Sequence, residues 1–261
     1  MAENVDFLSR ILKRDQLIIL SGVIALVIIS WVYLAYFYTY MHIGMESLAR
    51  SMVMPQISAI SLNEFLPVLL MWSAMMIAMM LPSATPMVLA FSAINRKRSL
   101  NGNKIVPTWV FLSSYILVWI GFSLFAAILH LYLKNNFFLS EESRIINPIA
   151  GGIILMAAGF YQFTPIKHAC VKNCQSPLGF VMEKWREGRK GAFWMGLQHG
   201  GYCVGCCWVL MLLLFFAGIM NLIWIAAISI FIFLEKIIVR GRFLGYFSGS
   251  FLLIWGLYIL L

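Results

Sequence analysis

Soft metal ligands are concentrated in one stretch of the chain, MGLQHGGYCVGCCW at residues 195–208. At 100° per residue, Met195, His199, Cys203 and Cys206 share an arc of about 80°, and Cys207 lies beside it. One helical stripe therefore offers a thioether, an imidazole and thiolates on successive turns. These are soft and borderline donors, the set that suits Cu(I) and, less well, Zn(II). A single cysteine in an apolar run is a small hydrophobe. Three within five residues, with a histidine on the same face, point to metal or redox chemistry, because an unpaired thiolate or imidazole in hydrocarbon is costly.

A second stretch, MWSAMMIAMMLPSATPM at residues 71–87, places Met71, Met75 and Met79 in one stripe and Met76, Met80 and Met87 in another. Thioethers are weak Cu(I) ligands and also ordinary gap-fillers. Met75, Met76, Met79 and Met80 are candidate ligands on that basis. Counting rise from the ends of their runs, Met71–Met80 and Cys203–Cys207 both fall near mid-bilayer. Pro82 and Pro86 are expected to kink or open this helix. Two flanking sets carry similar donors: Met41, His42, Met45, Met52 and Met54 on one side, and His168, Cys170 and Cys174 in KHACVKNC on the other. Gly196, Gly200, Gly201 and Gly205 form small-xxx-small pairs that let another helix approach. Glu235 beside Lys236 reads as a charge pair at the membrane surface, and His130 as an interfacial residue.

The elements that must hold these residues are apolar helices. Hydrophobic residues make up 62% of the chain and charged residues 11%, against roughly 45–50% and 25% in soluble domains. Seven apolar runs stand out, at 17–38, 65–91, 106–133, 146–163, 192–216, 222–238 and 244–261. They lack the period-2 alternation of barrel strands, so the expected fold is an all-α polytopic transmembrane bundle of about seven spans. The first run is too long for a signal-peptide core and has no small-residue cleavage pattern after it. Ahead of it, Phe7, Leu8, Ile11 and Leu12 oppose Arg10, Lys13 and Arg14, the pattern of a short interfacial helix. Residues 1–16 are thus read as a cytoplasmic interfacial segment and 17–261 as one membrane domain.

The net charge of +9 does not point to nucleic acid. Basic residues alternate loop by loop: Arg10, Lys13 and Arg14; Arg96, Lys97, Arg98 and Lys104; Lys167, Lys172, Lys184, Arg186, Arg189 and Lys190; Lys236, Arg240 and Arg242. Only Arg50, Lys134 and Arg144 fall on the other side. This asymmetry places the N-terminus in the cytoplasm and the C-terminus outside.

The segments MWSAMMIAMMLPSATPM, QFTPIKHACVKNCQSPLGF and MGLQHGGYCVGCCWVLMLLLFFAGIMNL resemble a family of predicted metal-binding integral membrane proteins labelled copper-chaperone-like. The resemblance runs from about residue 65 to 236. It implies a polytopic membrane protein whose metal ligands include Cys170, Cys174, His199, Cys203, Cys206 and Cys207. Members often carry a Met-Asp-Met triplet ahead of the second span; here SMVMPQ keeps Met52 and Met54 without the Asp.

The leading expectation is a multi-pass protein of a prokaryotic plasma membrane that handles Cu(I), with Zn(II) as the other metal, acting as chaperone, insertion factor or transporter rather than as an enzyme. Its partners would be the lipid bilayer, the metal ion and a membrane cuproenzyme or soluble metal chaperone. There is no P-loop and no pump-type phosphorylation motif. The alternatives are a membrane thiol–disulfide oxidoreductase using Cys203-x-x-Cys206 and a non-catalytic subunit of a larger cuproenzyme complex.

Overall fold

The computed structural model describes residues 2–51, 62–100, 104–136, 138–139, 145, 147–238 and 241–261. Met52 and Met54, and the side chains of Met41, His42 and Met45, lie outside the described residues. The described residues form nine helices: α1 (Ala2–Ser51), α2 (Leu62–Leu100), α3 (Thr108–Asn135), α4 (Pro148–Gln162), α5 (Pro165–Gln175), α6 (Pro177–Glu183), α7 (Gly188–Ala217), α8 (Leu222–Ile237) and α9 (Gly241–Leu260). The protein is all-α; among these residues the sole β feature is an isolated bridge between Leu139 and Ile145.

Local chemistry sets the breaks. Asn147 caps α4 by accepting from the backbone N–H of Ile149 and Ala150, with Pro148 in the first turn. Thr164 caps α5 through Lys167 N–H, and Pro165 follows it. Asn221 caps α8 through the N–H groups of Ile223 and Trp224. Short polar side chains satisfy orphan amides at such starts, and proline tolerates the first turn because its nitrogen would donate nothing there. Gly218, at φ 96°, ends α7 in a conformation that costs other residues a Cβ clash. The prolines at 67, 82 and 86 do not end α2, which runs through all three.

All seven apolar runs coincide with helices. Five are long and apolar enough to cross a membrane: Arg14–Thr39 within α1, Glu64–Ser99 within α2, Thr108–Asn135, Gly188–Ala217 and Phe243–Leu260. The fourth and sixth runs form the shorter α4 and α8, of 15 and 16 residues, where a perpendicular crossing takes about 20. Helix α4 continues into α5 through a bend of 63°, the geometry of a broken span or a re-entrant element. Helix α1 joins the amphipathic N-terminal segment and the first run in one continuous helix.

Packing is closest where side chains vanish. Gly152 and Gly159 of α4 lie against Gly256 and Gly249 of α9, so that a Cβ at Gly159 would come 3.0 Å from the Gly249 carbonyl oxygen. The glycines of α7 divide their work. Gly196 faces Phe111 and Ser114 of α3, Gly200 faces Val118, and Gly205 faces Cys170 of α5. Gly201, read from the sequence as a contact residue, meets nothing within 4 Å, because it lies 100° round the helix from Gly200.

Candidate metal centre

The α7 stripe forms the centre. Cys203, Cys206 and Cys207 are buried at 0%, 1% and 0% exposure, and their sulfurs all lie within 4.8 Å of one another. The thiols of Cys206 and Cys207 both donate to the Cys203 carbonyl oxygen, at 3.0 and 2.9 Å. Three sulfurs about 2.3 Å from one ion would stand about 4 Å apart, so small rotations of these side chains bring them onto a common metal.

Two other helices complete the donor set. Met80 of α2 places its Sδ 3.8 Å from Cys207 Sγ. Met75, Met76 and Met79 are fully buried in the same core, and of the four candidates Met80 is the one seen touching a thiol. From α5, the buried Cys174 thiol lies near Cys203 and Cys206. Cys170, one turn earlier and partly exposed, packs against Gly205, where an added Cβ would come 2.9 Å from its sulfur. All five cysteines of the chain, each of them a free thiol, thus meet on one stretch of α7. His168 turns away and sets its ring edge-on to Tyr246 of α9 at 5.2 Å, as a residue 200° from Cys170 must.

Two residues not expected at the site from the sequence touch Cys203. The Tyr115 hydroxyl of α3 lies 3.2 Å from Cys203 Sγ and 3.2 Å from the Met80 carbonyl oxygen. Lys236 Nζ lies 2.9 Å from Cys203 Sγ and donates to Ser83 Oγ at 3.0 Å. The expectation of a surface Glu235–Lys236 pair is therefore overturned. Neighbouring residues on a helix point 100° apart and do not face each other. Glu235 instead pairs with Lys167 of α5, at 2.6 Å and with side-chain exposures of 1% for Lys167 and 4% for Glu235, while Gln162 also accepts from Lys167 Nζ. Nothing in the sequence marked Lys236 as internal, because a lysine at the end of an apolar run ordinarily extends to the interface. Tyr115 gave no signal among the chain's many aromatics.

His199 and Met195 are buried on the same face of α7 but outside the thiol cluster. The His199 ring stacks on Tyr115 at 5.3 Å and on Phe111 at 6.1 Å, with Phe180 of α6 at 5.7 Å. His130, expected at the interface, is buried and accepts a hydrogen bond from Trp72 Nε1 at 3.3 Å.

A helical bundle enclosing thiols and a thioether is compatible with the handling of a soft metal. Residues 69–259 match the family model PpoB2, described as a copper chaperone; the match spans well over half of the chain, and the protein belongs to that copper chaperone family. Comparison with curated proteins and with solved structures gives no match.

Proposed function

We propose that the protein is a multi-pass membrane carrier that holds Cu(I) at a buried thiol cage and passes it to an acceptor, without catalytic turnover. The observation that carries this reading is the buried cluster of Cys203, Cys206 and Cys207, with the Met80 thioether against it and the buried Cys174 nearby. Thiols alone would also suit Zn(II). A thioether at the cage favours Cu(I), for which it is a competent ligand. The cage sits beside the single ammonium of Lys236, which offsets thiolate charge where water cannot. Cys170, partly exposed and next to Gly205, is the natural exit ligand. Exchange between such ligands needs no nucleotide.

The full burial of Cys203 and Cys206 favours a carrier over a thiol oxidoreductase, because a protein dithiol has no access to them. Loop charge supports seven membrane segments with the N-terminus in the cytoplasm, and the short α4 and α8 then cross with the help of neighbouring helices or local bilayer thinning. The acceptor would be a membrane cuproenzyme or a soluble metal chaperone.

Anaerobic titration of detergent-purified protein against a Cu(I) chelator, at fixed free Zn(II), tests the reading. The wild type should take Cu(I) in preference to Zn(II), and the combined changes Cys203→Ser, Cys206→Ser and Cys207→Ser should abolish the tight site. Preference for Zn(II), or unchanged Cu(I) binding in the triple variant, ends it.

A further inference from the structure

His199 is a buried imidazole with an unmet need. Neither ring nitrogen has a hydrogen-bond partner among the described residues, and the side chain is 2% exposed. Buried polar groups are nearly always paired, and each exception calls for an occupant. A buried water would need two to four polar partners. The walls here are mainly the rings of Phe111, Tyr115 and Phe180, and the nearby hydroxyls are bonded elsewhere. Tyr115 bonds at Cys203 and Met80, and Ser114 donates to Phe111 O.

Helical spacing and register place two thioethers at the level of His199. Met195 lies one turn away on the same face of α7 and is fully buried. Met87 arrives from α2, by a register that two contacts establish. The Trp72 and Phe215 rings lie tilted with centroids 5.4 Å apart, and Met80 touches Cys207 at 3.8 Å. Each step is eight residues, forward on α2 and backward on α7, so the two helices run antiparallel in even register. Seven residues beyond Met80, on the same face, Met87 comes level with Gly200, next to His199. Met87, Met195, Phe111 and Phe180 share one packed cluster, separate from the cluster that holds the cysteines.

Building on the thiol-cage reading, we infer that His199, Met195 and Met87 form a second site for a soft monovalent cation, a weaker Cu(I) station between the thiol cage and the basic end of the bundle. One imidazole and two thioethers suit Cu(I) and are a poor set for Zn(II) or hard cations. The two stations are about 6 Å apart along α7, with Tyr115 stacked on one and bonded to the other. An ion arriving from the basic end meets weaker ligands before the thiolates, which lets it move inward without being trapped, while Cys170 remains the exit ligand.

The test is the Cu(I) stoichiometry of folded, monodisperse variants, with X-ray absorption on the loaded protein. The wild type should bind one more Cu(I) than His199→Phe, a change that keeps the aromatic stack. The triple serine variant should retain an ion ligated by imidazole nitrogen and thioether sulfur, and Met87→Leu in that background should weaken it at least tenfold. Should the triple variant not fold, the comparison of wild type with His199→Phe still decides. Equal stoichiometry in those two proteins overturns the second site while leaving the thiol cage standing. A wild type that binds no Cu(I) removes both.

Discussion

Lys167 and Lys236 are both buried near the basic end of the bundle and both bear on the end of α8, yet their partners differ in kind. Lys167 faces a carboxylate and an amide, Glu235 and Gln162. Gln175 from the same α5 donates to the Glu235 and Ile238 carbonyl oxygens. Every contact in that network ties α5 to its neighbours, so its work is architectural: it holds the helix that carries Cys170 and Cys174. Lys236 faces a thiol and a hydroxyl, Cys203 and Ser83. A thiol is the group that changes when metal arrives. Adjacent residues of α8 thus serve two networks, one that fixes the frame and one that meets the cargo.

Breaking the frame should have the largest effect. Lys167→Met leaves Glu235 as an uncompensated buried charge, and the loss should be about 3–5 kcal/mol, read as a lower unfolding temperature in detergent. Adding Glu235→Leu should restore most of it. A Lys167→Met protein of native stability would remove the architectural half of the contrast.

Lys236→Met should act on the cargo instead. Losing a charge-assisted contact worth about 1.5–3 kcal/mol should weaken Cu(I) binding roughly 10- to 100-fold, measured by chelator competition. The unfolding temperature of the metal-free protein should change far less than in Lys167→Met. The reverse ranking would make Lys236 the structural lysine.

Tyr115→Phe should have the smallest effect. It deletes one neutral hydroxyl beside Cys203 while keeping the ring against His199, so about 1 kcal/mol is at stake, or roughly fivefold in Cu(I) affinity. A change as large as that of Lys236→Met would show that Tyr115 does more than support the thiol.

Much of the fold was legible before any coordinates, because hydropathy alone marks where helices lie. Each of the seven apolar runs coincides with an observed helix, although α1 and α2 extend well beyond theirs. The family resemblance carried by the cysteine-rich, Met-rich and KHACVKNC segments agrees with the copper chaperone match. The site was legible one helix at a time. Helical periodicity put Met195, His199, Cys203 and Cys206 on one face, and all four are buried on α7.

What periodicity does not encode is which face of which helix meets which. That is decided by packing across the bundle, where glycines permit close approach and buried charges demand partners. Tertiary structure alone brought Cys174 and Met80 to the thiols and turned His168 toward Tyr246. It parted Lys236 from Glu235, and set His199 in an aromatic box apart from the cysteines one turn away. Sequence spacing determines the angle between two side chains on the same helix; only the placement of neighbouring helices determines what each of them touches.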